Sequence, residues 1–185
     1  DLSRSTLYTH INTFNRHGLV IRENGEYWPG LRFREFSESA RWRKPSYQIV
    51  EATVEELAAT TDAEVEVVVE EVGRVNLVFH SEDASHEQVR LYAHNTAAGK
   101  AILAEYDDER VDDIVDRWGL PAEAPNTITD REALHDRLAE VAERGYAYND
   151  EEWFEGYHGI GATIEGLDGS VLGALTIGGP VYRVT

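Results

Sequence analysis

The chain has 185 residues, no cysteine, and 35 carboxylates against 17 Lys and Arg, for a formal net charge of -18. The absence of Cys excludes disulfides and thiolate metal sites. No run approaches the roughly 18 apolar residues of a membrane span and no secretory apolar segment is present, so a soluble, cytoplasmic protein with no membrane partner is expected.

The first element breaks the acidic pattern. Leu2 to Arg22 contains no carboxylate, yet carries Arg4, Arg16, Arg22 and two histidines. Residues 1–44 hold eight Lys and Arg against five acids, +3, and residues 45–185 hold nine against thirty, -21. That asymmetry points the basic window at a strongly negative partner, for which a nucleic-acid backbone is the obvious candidate. Only Lys44 and Lys100 are lysines; excess carboxylate with so little Lys fits a salt-loving source. High salt screens surface charge over a few Å, so direct contacts would outweigh counterion release.

Residues 3–17 have helical period, with Leu7, Ile11 and Phe14 on one face. Ser5, Thr9, Asn12, Thr13 and Arg16 lie opposite, with Tyr8 at the margin. Gly18 is placed to end this helix. Strands over Leu19–Arg22 and Glu26–Trp28 join at Asn24-Gly25, a tight-hairpin signal. Helix, glycine and hairpin are the second half of a winged helix-turn-helix, whose helix enters the major groove while the hairpin touches the backbone. Leu31 to about Arg43 reads as a basic linker helix broken by Pro45.

Tyr47–Thr60 reads as an amphipathic helix with Ile49, Val50, Val54 and Leu57 inward. Glu64–Glu70 alternates as a strand, and Gly73 turns the chain into a second at Val75–His80. Ser81–Glu87 is a polar loop and Val89–Tyr92 a short strand. Helices follow over Thr96–Glu105 and Glu109–Trp118. A third opens at a capping box, Thr129 to Glu132, with Leu134, Leu138 and Val141 as its core stripe and Gly145 as its stop. A hairpin of Ile160–Glu165 and Val171–Ile177 turns at Asp168-Gly169.

Together, GLVIRENGEYWPGLRF, HNTAAGKAILAEY and RGYAYNDEEWFEGYHGIGATI followed by GALTIGGPVYR resemble the IclR family of transcription regulators, in order along nearly the whole chain. The resemblance implies an α/β fold in three parts: a partial winged helix-turn-helix at 1–30, a linker helix at 31–45, and a GAF- or profilin-like effector domain with a mainly antiparallel sheet at 46–185. Against that pattern the chain begins at the recognition helix, without the two helices that precede it in the family, and stops before a final helix. The resemblance also implies a homodimer or dimer of dimers on a pseudo-palindromic double-stranded operator, controlled by a small organic, acidic metabolite.

On the DNA side the candidates are Ser5, Thr6, Tyr8, Thr9 and Arg16 of the helix and Arg22 of the hairpin, with Arg4 and Arg22 suited to phosphates. For the effector, Thr96 can cap a helix start whose small residues, Ala97 and Ala98, leave backbone N–H groups open to a carboxylate; a tightly packed helix start would demand the same residues. The resemblance maps further pocket positions onto Asn149, Tyr157, Gly159, Thr176 and Gly178. Trp153, Phe154 and Tyr157 could wall or cover the ligand, although Phe154 is equally a core aromatic. Asp150 to Glu152 read alternatively as a solvated acidic turn, Glu152 most of all.

His80, His86, His94 and His158 show no HxxH or HxH spacing, so no metal is expected, nor any cofactor. His94 is expected to satisfy a local backbone group. Two other functions are consistent with these residues. One is a sensor or dimerisation module that does not bind DNA. The other is an enzyme using His94, Asp150 and His158, although no nucleophile elbow or phosphate loop accompanies them.

Overall fold

Ser3 starts the first helix, α1 (Arg4–Arg16), by accepting a hydrogen bond from the Thr6 backbone N–H at 3.2 Å. The helix stops through two bonds of 2.9 Å, from Gly18 N–H to the Asn15 carbonyl and from Leu19 N–H to the Phe14 carbonyl. Gly18 sits at φ +69°, the left-handed turn that favours glycine there. The computed structural model describes residues 3–44, 46–61, 63–81 and 92–183, and the chain divides into two units, Asp1–Gln48 and Ile49–Thr185.

In the first unit, β1 (Val20–Glu23) and β2 (Glu26–Pro29) pair antiparallel across Asn24 and Gly25, at φ +53° and +90°. Both left-handed positions are what a two-residue hairpin turn requires. α2 (Arg32–Arg41) follows, and Arg32 donates to the His17 carbonyl at 2.6 Å, tying its start to the end of α1. Leu7 and Phe14 share one face of α1 and are 47% and 45% exposed, since among the described residues nothing buries that face. Pro45 lies outside the described residues.

The second unit begins in α3 (Ser46–Thr61), which buries Val54 and half-buries Val50 and Leu57; the Ile49 side chain lies outside the described residues. β3 (Glu64–Glu71) and β4 (Arg74–His80) form a hairpin around Val72 and Gly73. Gly73 is fixed by its neighbour, since a Cβ there would lie 2.7 Å from Nε1 of Trp118, which itself donates to the Val72 carbonyl. The loop over Ser81–Glu87 and the strand over Val89–Tyr92 fall largely outside the described residues.

A short 3-10 turn, Ala93–Asn95, leads into α4 (Ala97–Leu103), α5 (Asp108–Trp118) and α6 (Arg131–Arg144). α6 is capped by Asp130, which accepts from Ala133 N–H at 3.0 Å. The start therefore lies one residue beyond the Thr129 capping box expected. The sheet closes with β5 (Ala147–Asp150), β6 (Tyr157–Glu165) and β7 (Val171–Pro180), in the all-antiparallel order β4-β3-β7-β6-β5. The α/β class is as expected; β5 was not legible as a strand, and β6 begins three residues before Ile160.

The core joins Val68, Val75 and Ala174 of the sheet to Ile102, Leu103, Val111, Ile114, Leu134, Leu138 and Val141 of the three helices. Each such Val, Leu or Ile side chain, fully buried, contributes roughly 1.5–3 kcal/mol. This packing fixes the start of α4 against the sheet, which is where the site lies.

Candidate functional site

Side chains alternate along a strand, so Glu64, Glu66 and Val68 share one face of β3. Antiparallel register sets Glu66 opposite Thr176 of β7, and Gly159 of β6 opposite Gly178. Between this face and the start of α4 lies a cavity of about 20 Å³, room for about one water molecule. Thr96, Ala97, Ala98, Asn149, Tyr157 and Thr176 line it, six of the eight residues expected at the effector site. Glu66, Val68 and Trp153 complete the wall. Gly159 and Gly178 stand behind it: a Cβ at Gly178 would lie 2.6 Å from the Tyr157 hydroxyl, and one at Gly159 3.3 Å from Cγ2 of Thr176.

The start of α4 packs tightly on β6. Thr96 caps it, accepting from Gly99 N–H at 3.1 Å. A Cβ on Gly161 of β6 would lie 2.6 Å from Ala98 N, and one on Gly99 2.4 Å from the Ala93 carbonyl oxygen. Backbone packs directly on backbone here, which is why the residues are small. The small residues expected at this helix start thus answer to close packing on β6, while Ala97 and Ala98 also line the cavity.

Glu66 is 8% exposed, and burial pushes its carboxyl up to about 7, with Glu64 adding repulsion and His80 partly offsetting it. The Tyr157 hydroxyl is pushed well above the usual phenol range by burial and by the fields of Glu66 and Glu64. It therefore faces the cavity region as a neutral O–H. Trp153 and Tyr157 meet edge-on at 5.4 Å, and Phe154 packs on Tyr157 at 5.0 Å. Trp153 and Tyr157 are buried, whereas Phe154 is 36% exposed.

Glu152 overturns its reading as a solvated acid. It is buried and ion-paired with Lys100 of α4, whose side chain is wholly enclosed, and Arg137 of α6 approaches it at 3.4 Å. Burial pulls the Lys100 ammonium down to about 8 against the pull of Glu152. Asn149 Oδ1 accepts from Glu152 N–H at 3.0 Å, and the Glu152 carbonyl accepts from the Thr127 hydroxyl at 2.5 Å. The segment that places Trp153 in the cavity wall is thereby anchored on two helices.

His94 is buried and neutral, its imidazole lowered to about 4 chiefly by burial. Its partner is a backbone carbonyl, as expected, but the distant one of Pro121, at 3.2 Å. Asp150 and His158 do meet, at 3.0 Å across the β5–β6 register, while His94 lines a separate cavity. The three residues of the enzyme reading are therefore not assembled. Among the described residues, Asp150, Glu151 and His158 place one potential ligand atom each within 4.8 Å of one another, a cross-strand grouping that linear spacing does not reveal.

In the first unit, Arg4, Ser5, Tyr8, Thr9, Arg16 and Arg22 are exposed and Thr6 half-buried. Among the described residues Arg4, Arg16 and Arg22 form no ion pair, and Arg22 stacks over Tyr27 at 5.6 Å. The Thr9 and Thr13 hydroxyls donate back to the helix, to the carbonyls of Ser5 and Thr9 at 2.9 Å, and present acceptor lone pairs outward. No helix among the described residues is long and apolar enough to cross a membrane.

A helix, glycine stop and hairpin ahead of an α/β unit with an internal polar cavity define the class of two-part, effector-binding transcription regulators. Residues 45–185 match the family model described as "Bacterial transcriptional regulator IclR C-terminal". The chain is 30% identical, over its whole length and 74% of the relative's, to a Halobacterium salinarum protein described as "Probable HTH-type transcriptional regulator ArcR". It is 26% identical to the Escherichia coli HTH-type transcriptional regulator XynR, over 99% of this chain and 76% of that protein. The IclR structure of Thermotoga maritima superposes over the whole chain and 77% of its own, with a TM-score of 0.75 and 24% identity. A double mutant of the inducer-binding domain of the PobR transcription factor from Acinetobacter, in complex with 3-hydroxybenzoic acid, matches over 75% of this chain and 84% of its own, with a TM-score of 0.68 and 26% identity. The chain belongs to the IclR family of transcription regulators.

Proposed function

We propose that this chain binds double-stranded operator DNA through α1 and the β1–β2 hairpin, and that a small organic metabolite in the β3–β7–α4 cavity sets that affinity. The observation that carries the reading is convergence. Thr96, Asn149 and Thr176 supply hydrogen-bonding groups, and Trp153 and Tyr157 supply apolar walls, at one cavity beside a packed core. On the DNA side, Arg4, Arg16 and Arg22 are cations without carboxylate partners among the described residues, in a window free of acids. Such cations neutralise phosphates, while Thr6, Thr9, Tyr8 and Ser5 offer contacts to base edges. A homodimer or dimer of dimers would present two such helices to a pseudo-palindromic site.

The cavity as described is too small for a metabolite, so binding must displace part of its wall. The Glu151–Gly156 segment is the natural part, because it carries Trp153. Similar structures favour an acidic ligand, since a double mutant of the PobR domain holds 3-hydroxybenzoic acid and an IclR homologue of Microbacterium hydrocarbonoxydans holds 4-hydroxybenzoate; the glutamate on this cavity's own wall opposes one.

A thermal-shift screen of small metabolites at high salt tests the site. A ligand well above its Kd raises stability by roughly 2–4 kcal/mol. The expected hit stabilises the wild type and loses its effect in Thr176→Ile, which fills the cavity and removes a hydroxyl. A hit indifferent to that substitution would place the effector elsewhere.

A further inference from the structure

The cavity wall carries one ionisable side chain that forms no ion pair and no hydrogen bond among the described residues, Glu66. It is more than nine-tenths buried, and its nearest acidic neighbour on the same face of β3, Glu64, is 2% exposed. A buried carboxylate beside another carboxylate is unfavourable in its ionised form unless a positive group meets it. No Lys, Arg or His lines the cavity; His80, paired with Glu66 across the β3–β4 register, offsets the charge only in part. The closest buried cation on α4, Lys100, is already committed to Glu152, and the Gly161 backbone packs close to Ala98 N at the start of α4.

Aromatic rings complete the arrangement. Trp153 and Tyr157 line the cavity and lie edge to face, 5.4 Å apart. Electron-rich rings beside a carboxylate attract organic cations, most strongly where water is excluded. Thr176 adds a hydroxyl oxygen that accepts from an ammonium N–H, while Thr96 Oγ1 and Asn149 Oδ1 already accept from Gly99 and Glu152 N–H.

We infer that the effector of this chain is a small organic cation, its ammonium-type group held by Glu66 and its carbon skeleton against Trp153 and Tyr157. This rests on the cavity being the effector site, and it departs from the carboxylate that the relatives suggest. The chemistry is selective in both directions. With Glu66 ionised, a carboxylate ligand of the same size would place its charge against it, with only neutral donors in compensation. A cation would turn the unpaired glutamate into a buried, hydrogen-bonded ion pair.

Matched probes test this: butylammonium, 1-butanol and butyrate, titrated by saturation-transfer NMR above pH 7 into wild type, Glu66→Gln and Thr176→Ile. The expected result is saturable binding of butylammonium to the wild type, weaker binding of butanol, and none of butyrate. Butylammonium affinity should fall about tenfold or more in Glu66→Gln and vanish in Thr176→Ile. Butyrate binding that Thr176→Ile abolishes would overturn the cation assignment and leave the cavity standing as the effector site. Binding insensitive to Thr176→Ile would overturn both, and so would the absence of binding by any probe. Melting curves of the two variants confirm that each is folded.

Discussion

The ammonium of Lys100 and the carboxylate of Glu152 form an ion pair sealed from solvent, their side chains 0% and 3% exposed. The pair bridges α4, whose first residues line the cavity, and the segment that carries Trp153. Pairs of this kind contribute little net stability compared with an apolar replacement, but breaking one strands a buried charge. Lys100→Met should therefore destabilise the chain by about 3–5 kcal/mol, and Glu152→Gln by a similar amount, whereas Lys100→Met with Glu152→Leu should recover much of it. Urea unfolding of the three variants checks this. Additive losses in the double variant would show that the two charges are not coupled.

Glu66 predicts the pH dependence. Its carboxyl is raised from 4.5 to about 7 by burial and by Glu64, so the folded chain holds a proton there that the unfolded chain has already released. That contribution to stability is fully present below pH 4.5 and is lost as pH rises through about 7. His80 on β4 lowers the shift, and Tyr157 on β6 stays protonated and does not reverse it. Glu66→Gln should accordingly gain stability relative to wild type between pH 4.5 and pH 7, by on the order of 2–3 kcal/mol. A difference between the two melting temperatures that stays flat across that range would contradict the assignment.

Gly161 is required for space. A Cβ there would lie 2.6 Å from Ala98 N, and the sheet and helix backbones cannot separate without opening the core. Gly161→Ala should destabilise by about 1–3 kcal/mol and weaken ligand stabilisation at the same time. Gly169→Ala, also a sheet-hairpin glycine but with open space around it at φ +78°, should show only local backbone strain and unchanged ligand binding.

Arg16 and Arg22 separate two kinds of DNA contact. Arg22→Ala, a phosphate contact, should weaken binding uniformly across sequences and reduce the salt slope by about one. Arg16→Ala should in addition relax discrimination among operator variants if it reaches a base edge, by about 1–3 kcal/mol. Fluorescence anisotropy on a duplex selected from a random pool measures both. Unchanged affinity in Arg16→Ala would remove it from the interface.

Local rules made much of the fold legible. Asn24-Gly25, Gly18, Gly73 and Gly145 each need a left-handed turn, and all four adopt one. What stayed hidden depends on distant pairing. Lys100 and Glu152 are 52 residues apart, so nothing in the local run of acids near Glu152 shows that one is buried. Glu66 lies in E-V-E-V-V-V-E, which reads as a half-solvated strand; with helices packed on the face that holds Val68, its first six residues are buried. β5 is four residues long and partly exposed, too short for period alone to reveal. Thr96, Ala98 and Tyr157 were identified through resemblance to a family, and Glu66 could have been noticed as a carboxylate on the Val68 face of the strand.

The measurement that tests the central claim most directly is operator affinity with and without a cavity ligand. A compound that stabilises the wild type but not Thr176→Ile should change the Kd for the selected duplex by about fivefold or more in the wild type. It should leave Thr176→Ile unmoved. A wild-type Kd unaffected by saturating compound would contradict the coupling between cavity and DNA.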